Sequence, residues 1–118
     1  MNKLEKEIEA KLKAELENLG CLVLKFVSPG NAGVPDRLVL LPGGVVFFVE
    51  LKNERGRLAP LQRAWRERLR RQGCLYALVR SEADAAKFVQ EVGETVELSR
   101  LKKPLAAVLR RIAEGADV

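Results

Sequence analysis

Hydrophobic residues follow a helical period at the start of the chain. Between about Asn2 and Leu19, a leucine or isoleucine recurs every three or four positions among Lys and Glu, and Gly20 follows directly. This spacing places the apolar side chains on one helical face, and glycine commonly ends a helix. The pattern predicts an amphipathic first helix with one side packed against the rest of the protein.

Three apolar segments with strand character follow this helix. They are residues 21–27 (CLVLKFV), 36–41 (DRLVLL) and 45–51 (VVFFVEL). The sequence SPGNAGVP separates the first two segments, and a Pro-Gly-Gly tripeptide at 42–44 gives the backbone freedom that a tight hairpin needs. We therefore expect a strand, an ordered loop and then an antiparallel hairpin.

Helical patterns return in the second half of the chain, around one more strand. A helix should begin at Pro60 and end before Gly73, because proline suits a first helical turn. Residues 74–79 (CLYALV) are typical of a strand, and a helix is expected over about 82–91. The segment TVEL at 95–98 is typical of a short edge strand.

The last segment of the chain is also predicted to be helical, and with it the order of elements indicates a fold class. A C-terminal helix is indicated by an apolar stripe at helical spacing, made of Leu101, Leu105, Val108, Leu109 and Ile112. The element order predicts an α/β fold with a mixed β-sheet flanked by helices. We expect one domain over 1–118, with a core over about 1–92 and a C-terminal extension over about 93–118.

Composition narrows the chemistry. The chain has 21 Lys and Arg against 16 Asp and Glu, so its net charge is +5. A polyanionic partner is compatible with this charge, although many domains with such a charge bind no nucleic acid. Since the chain contains no histidine, mechanisms that need an imidazole base are excluded. Any reaction must use carboxylates, lysine and water.

The cysteines and the lack of a long apolar run predict the cellular setting. Cys21 and Cys74 each follow a glycine and begin an apolar segment, which favours buried strand residues over a disulfide or a zinc site. No apolar run approaches the roughly 20 residues that cross a bilayer, and the N-terminus is charged. We expect a soluble, cytoplasmic protein that does not contact a membrane.

Two acids lie on neighbouring strands of the predicted hairpin. Asp36 begins the first strand and Glu50 lies near the end of the second. With a three-residue loop, Leu41 pairs with Val45, and Asp36 then falls directly opposite Glu50 with Cβ atoms roughly 4.5 to 5.5 Å apart. With a two-residue loop, the acids would face opposite sides of the sheet.

These acids predict a metal site. Strand alternation places Lys52 on the same face as Glu50, while Leu51 points away with its carbonyl near the site. Two close carboxylates repel unless a cation lies between them, and Mg²⁺ or Mn²⁺ suits oxygen ligands. Lys52 could then position water or offset charge on a phosphate. The alternative is that Asp36, Glu50 and Lys52 are ordinary charged residues at a turn and a strand end.

The motifs around these residues resemble a known family. GVPD at 33–36, a hairpin and ELK at 50–52 are similar to the active-site signature of the PD-(D/E)xK nuclease superfamily. The longer pattern KFVSPGNAGVPDRLVLLPGG, then FFVELK and then LAPLQ, resembles the VRR-NUC domain family, particularly its stand-alone phage-type members. The resemblance runs from the first helix to about Val79.

This resemblance implies a fold, an activity and a set of site residues. The fold would be restriction-endonuclease-like, with an α-β-β-β-α-β core, and the activity would be a Mg²⁺-dependent endonuclease acting on branched DNA such as Holliday junctions. Asp36 and Glu50 would bind the metal with the Leu51 carbonyl, and Lys52 would be the catalytic lysine. Gln62 matches a glutamine typical of VRR-NUC domains and would line the site; an ordinary polar residue in a first helical turn is an equal alternative.

The superfamily also commonly places an acid of the first helix near the metal. We favour Glu9 because it borders the face that packs toward the sheet, and because IEAKLKAELENLG resembles the first helix of archaeal Holliday-junction resolvases. Glu5 is the alternative, one turn earlier. The other acids of this helix are Glu7, Glu15 and Glu17.

Contacts with DNA are expected from polar and basic residues around the motif loop and on the second helix, which would bind phosphates without reading bases. The residues concerned are Lys25, Ser28, Asn31, Arg37, Arg55, Arg57 and Arg63, with Arg66, Arg68, Arg70 and Arg71 as further candidates. Since only 5% of residues are aromatic, there is no stacking platform for single strands. Duplex or branched DNA is the expected partner.

The small size of the domain favours a homodimer with two active sites. The resemblance to phage-type members implies a phage or bacterial setting. Two other functions remain open. One is a catalytically silent nucleic-acid-binding module with the same fold. The other is an interaction subunit whose C-terminal stripe docks a larger replication or recombination partner, such as a helicase, or a packaging protein.

Overall fold

Helices and strands alternate along the chain in the order that the sequence predicts for the core. The computed structural model describes residues 3–53, 55–101 and 103–116. In chain order the elements are α1 (Lys3–Asn18), β1 (Leu22–Lys25), β2 (Arg37–Leu40), β3 (Val46–Leu51), α2 (Pro60–Arg71), β4 (Leu75–Val79), α3 (Glu82–Leu101) and α4 (Lys103–Ala116). Asn2, the predicted start of the first helix, lies outside the described residues.

The four strands form one mixed sheet in the order β1-β2-β3-β4. β1 pairs antiparallel with β2, and β2 pairs antiparallel with β3, whereas β3 and β4 run parallel. Parallel strands need a crossover connection, and α2 supplies it between β3 and β4. The predicted α/β fold with a mixed sheet flanked by helices is confirmed.

One face of this sheet carries the core. α1 and α3 pack together and cover this face, and the Phe47 and Phe88 rings meet edge to face at 5.2 Å between centroids. The side chains buried most completely come from these helices and from three strands; they are Leu16, Val39, Val49, Val79 and Val92. The predicted apolar face of the first helix is therefore the face that packs on the sheet.

The other face is only partly covered. α2 lies over it beside β4, whereas Leu22, Leu24 and Val46 remain 60%, 46% and 40% exposed. The register places Leu22 and Val46 on either side of Leu40, so these side chains share one apolar surface. We call this surface, made of Leu22, Leu24, Leu40 and Val46, the open sheet face.

The β2–β3 connection is the three-residue hairpin that the sequence allows. The Leu41 N–H donates to the Val45 carbonyl at 2.8 Å, and the Gly44 N–H donates to the Leu41 carbonyl at 3.1 Å. Gly43 has φ of +94°, and a Cβ there would lie 2.8 Å from the Ser99 hydroxyl of α3. Glycine is thus needed both for the turn and for its close approach to α3.

The helix predicted over about 82–91 is confirmed from its start at Glu82, but its predicted end and the edge strand over 95–98 are wrong, because α3 continues to Leu101. Val92 and Val96 are buried one helical turn apart, and the Thr95 hydroxyl donates to the Glu91 carbonyl at 2.8 Å. A Cβ at Gly93 would lie 3.9 Å from the Leu19 side chain, at ordinary van der Waals distance. Packing against α1 therefore outweighs the local strand preference of Thr and Val.

The remaining predictions concern the cysteines and the C-terminus. Both cysteines are free, Cys21 buried and Cys74 half-buried, and each lies one residue before a strand. α4 confirms the C-terminal helix, with Val108, Leu109 and Ile112 exposed. The side chains of Leu101 and Leu105 lie outside the described part. Within the described part, no helix is both long and apolar enough to span a membrane.

Candidate active site

Asp36 and Glu50 meet where the hairpin strands reach their open end. The pairing of Arg37 with Val49, extended by one position, places Asp36 opposite Glu50. The Asp36 backbone N–H donates to Glu50 Oε2 at 3.1 Å. The two acids therefore share one face of the sheet, as the three-residue loop predicts.

Glu50 is held from both sides. Glu50 is 5% exposed. Among the charged residues that the structure describes, it is the one that is buried. Gln62 of α2 donates from Nε2 to Glu50 Oε1 at 2.9 Å, and Gln62 Oε1 accepts the Ala59 N–H at 2.8 Å. Gln62 thus connects the start of α2 to the carboxylate and fixes its orientation.

Asp36 keeps one oxygen without a protein partner. Its Oδ1 is buried and accepts no hydrogen bond from the described residues, although the nearby Leu51 N–H lowers the pKa of this carboxyl group. The residue that would face Leu51 across the sheet is Pro35, which has no N–H to donate to the Leu51 carbonyl. An unpaired carboxylate oxygen and a backbone carbonyl thus lie at the same end of the sheet.

The charges of the two acids are mutually unfavourable. Burial, and then the nearby Asp36 charge, raise the pKa of Glu50 to about 7. Burial also raises the pKa of Asp36, which Arg37 partly offsets. The positive charges of Lys52 and Arg37 lower the pKa of Glu50 and so offset part of this effect. A cation bound between the acids would offset the cost of burying their charges and would reduce their mutual repulsion.

Glu9 and Arg37 form a pair on α1 and β2. Arg37 Nε donates to Glu9 Oε1 at 2.9 Å, Nη2 contacts the same oxygen, and Nη1 donates to the Asp36 carbonyl at 2.9 Å. The Arg37 side chain is only 12% exposed. Arg37 is therefore engaged inside the protein, which disfavours the predicted phosphate contact.

Glu9 does not join the two other acids in a cluster. No group of three His, Cys, Asp or Glu side chains in the described ranges has the arrangement of a metal site. Since neighbouring strand residues face opposite sides, Arg37 points to α1 while Asp36 points away. Strand alternation predicts which side of the sheet Arg37 faces, but not that Glu9 is its partner.

The other predicted DNA contacts lie on loops and on α2, except for Lys25 at the end of β1. The Asn31 amide donates to the Ser28 hydroxyl at 2.9 Å within the motif loop, residues 28–35. Gly33 of this loop has φ of +94°, and a Cβ there would lie 2.7 Å from the Leu61 backbone, so the loop packs on the start of α2. Most of the predicted basic contacts are exposed: Lys25, Arg55, Arg57, Arg63, Arg68, Arg70 and Arg71. Arg66 differs, because it is half-buried.

Tyr76 is a site residue that the sequence did not indicate. Tyr76 pairs with Phe48 in the parallel β3–β4 register. Phe48 is two positions before Glu50, so Tyr76 and Glu50 lie on the same face of the sheet. Burial, and then the Glu50 charge, raise the pKa of Tyr76 to about 12, so the hydroxyl remains protonated at neutral pH. The register of β4 could have revealed this placement, but it depends on a crossover that local sequence does not specify.

Comparisons with known proteins agree with this geometry. The family model described as the VRR-NUC domain matches residues 4–83. The chain belongs to the VRR-NUC family. It is 45% identical over 74 residues to "Putative nuclease p44" of Acyrthosiphon pisum secondary endosymbiont phage 1, covering 63% of this chain and 73% of the relative. A solved structure named "VRR_NUC domain" aligns with TM-score 0.71 and 36% identity, covering 75% of this chain and 97% of that one.

Family membership assigns this chain a nuclease domain with the VRR-NUC fold. The matched range includes Asp36, Glu50, Lys52 and Gln62, so the acids, the lysine and the glutamine all lie in the shared region. The resemblance inferred from the sequence motifs is confirmed. All of α3 except its first two residues, and all of α4, lie beyond the matched range.

The donors of this VRR-NUC domain fit a hard divalent cation. The available atoms are two carboxylates and a backbone carbonyl, all oxygen, and Oδ1 of Asp36 is buried without a partner. Mg²⁺ often binds proteins through one or two carboxylates and completes its shell with water and substrate phosphate. Two carboxylates are therefore sufficient, and a third acid from α1 is not required.

Proposed function

We propose that this VRR-NUC domain is a divalent-metal-dependent endonuclease that hydrolyses phosphodiester bonds of DNA, with branched DNA such as Holliday junctions as its substrate. The observation that supports this most strongly is the Asp36–Glu50 pair beside Lys52. Burying Glu50 beside the half-buried Asp36 costs stability, and this cost is explained if the pair binds a cation.

The metal would be held by Asp36, Glu50 and the Leu51 carbonyl, and Mg²⁺ or Mn²⁺ suits these donors. When bound, such a cation polarises a phosphate oxygen and lowers the pKa of water. Glu9 is better suited to an indirect role, because it orients Arg37, which donates to the Asp36 carbonyl.

The protein residues would align the reaction. The Lys52 ammonium lies on the acid-bearing face and would stabilise negative charge that develops on the phosphate, or orient the attacking water. Gln62 keeps Glu50 in position through its bond to Oε1. Such positioning matters because hydrolysis requires the water and the phosphorus in one defined geometry.

We further propose a homodimer, in the cytoplasm of a bacterial or phage-infected cell. The open sheet face supports this, because an apolar surface exposed on one copy can be buried by the same surface of a second copy. Two active sites would suit symmetric cleavage of a four-way junction. A larger replication or recombination protein is a further proposed partner for the exposed stripe of α4.

The experiment compares labelled DNA substrates. A four-way junction, a flap and plain duplex of matched sequence are incubated with the protein in Mg²⁺, in Mn²⁺ and in EDTA. We expect cleavage in the presence of a divalent metal, with the junction cut fastest. Binding of all three DNAs without cleavage in either metal would refute catalysis and favour a silent binding module. Faster cleavage of plain duplex would refute the junction preference.

A further inference from the structure

One side of α2 carries a stripe of residues one helical turn apart. Gln62, Arg66 and Arg70 are spaced four positions apart, so they lie on the same helical face. Gln62 contacts Glu50 on the sheet, and the Arg70 guanidinium lies over the Tyr76 ring at 5.8 Å from its centroid. Arg66, between them, therefore faces the sheet between the acid pair and Tyr76.

Arg66 is unusual for an arginine on an amphipathic helix. The residue is half-buried, and its Nε is buried with no hydrogen-bond partner in the described part of the chain. Buried donors normally have acceptors, because desolvating one without compensation is unfavourable. An acceptor from outside the protein that binds the other guanidinium nitrogens of Arg66 would offset part of this cost.

The Tyr76 side chain lies beside the face of α2 that carries Arg66 and Arg70. Its hydroxyl is close enough to Glu50, Arg66 and Arg70 for their charges to influence it. A phenol and two guanidinium groups can all donate hydrogen bonds, and guanidinium has no acceptor. The group that fits these donors is therefore an oxyanion. Because the acid pair lies nearby, this oxyanion is expected to be part of a substrate that is held at the metal.

We propose that Arg66, Arg70 and Tyr76 bind the internal phosphodiester of the DNA strand that neighbours the phosphodiester being cut. This inference rests on the proposed nuclease function and specifies how the substrate strand lies across the site. Four residues of α2, about 6 Å along its axis, separate Gln62 at the acid pair from Arg66, so a phosphate bound at Arg66 would lie next to one held at the acid pair. Arginine is suited to this role because its planar donors match phosphate oxygens.

The test removes one phosphate charge at a time. Single methylphosphonate linkages are placed at successive positions around the cut site of the preferred substrate. For the wild type, neutralising the neighbouring phosphate should raise KM roughly tenfold, the loss typical of one charge-assisted hydrogen bond. Arg66→Gln should show this loss on unmodified DNA, and should then be insensitive to the linkage at that position while remaining sensitive at others.

Further variants separate binding from folding. Tyr76→Phe keeps the ring beneath Arg70 and removes only the hydroxyl, so it should show a smaller loss at the same linkage. Arg110→Gln on exposed α4 makes the same charge change away from the site and should match the wild type. Circular dichroism and thermal melting report whether each variant is folded, and Tyr76→Phe provides the test if Arg66→Gln unfolds.

Binding measurements keep the result independent of cleavage. Fluorescence anisotropy of the same DNA series in Ca²⁺ should give the same position-specific loss, even if no DNA is cut and the proposed nuclease function fails. A nicked duplex with and without a 5′-phosphate distinguishes the sources of phosphate; equal affinities support an internal phosphodiester. The inference is overturned if Arg66→Gln keeps wild-type sensitivity at every linkage, or if only the terminal phosphate changes affinity.

Discussion

The substitution Glu50→Gln should make the metal-free protein less sensitive to pH. Burial and the Asp36 charge raise the pKa of Glu50 from its ordinary value of 4.5 to about 7. Between these two values the folded protein holds this proton more tightly than the unfolded chain does. Raising the pH through that window therefore lowers the free energy of unfolding. Glutamine carries no charge, so this contribution disappears.

The expected size follows from the pKa values. A change from 4.5 to about 7 gives an upper limit of roughly 3 kcal/mol between pH 4 and pH 8. Screening by solvent reduces this to about 1–2 kcal/mol. Glutamine disturbs the bond to Gln62, at a cost of about 1 kcal/mol. That cost does not depend on pH, so comparing two pH values isolates the charge.

Urea denaturation in EDTA at pH 4.5 and pH 8 measures this difference. Since the chain has no histidine, no imidazole titrates within this window. The wild type should lose about 1–2 kcal/mol more than Glu50→Gln on going to pH 8. Adding Mg²⁺ at pH 8 should stabilise the wild type and leave the variant nearly unchanged. Parallel pH profiles for the two proteins would refute the reasoning.

Three other substitutions test the surrounding structure. Gln62→Ala should slow cleavage by roughly tenfold and cost about 1 kcal/mol, because Glu50 loses its orienting donor; an unchanged cleavage rate would contradict this. Gly33 and Gly30 have similar positive φ, so Gly33→Ala and Gly30→Ala introduce similar backbone strain. Thermal melting should show a loss of stability about 1–3 kcal/mol larger for Gly33→Ala, because of these two only Gly33 would bring a Cβ against the backbone of α2. Equal losses would show that this close approach is unimportant. Leu16→Ala empties a fully buried position and should cost about 2–5 kcal/mol in urea denaturation; a loss below about 1 kcal/mol would show that the core is not packed as described.

The central hairpin could be predicted because its constraints are local. The Pro-Gly-Gly tripeptide fixes the length of the turn, and strand alternation then places Asp36, Glu50 and Lys52 on one face. The family motifs lie in the same stretch of chain, so pattern and resemblance lead to the same residues. Gln62 was also identified, because it follows the motif within the helix that directly succeeds β3.

The features that the sequence did not predict depend on contacts between elements that are far apart along the chain. TVEL has strand preference by itself, and only packing of Val92 and Val96 against α1 makes it helical. The engagement of Arg37 by Glu9 joins residues 28 positions apart, and the approach of Tyr76 to Glu50 depends on the parallel pairing of β4. Local patterns do not contain this information, since tertiary packing determines it.

The most direct test of the proposed nuclease site is single-turnover cleavage of the preferred DNA by Lys52→Ala. Lys87→Ala is the matched control, because Lys87 is an exposed lysine of α3. The wild type and Lys87→Ala should cut at similar rates in Mg²⁺, and EDTA should abolish cutting. Lys52→Ala should cut about 100-fold more slowly, the loss typical of one group that stabilises transition-state charge. Cutting by Lys52→Ala at the wild-type rate, or by the wild type in EDTA, would contradict the proposed mechanism.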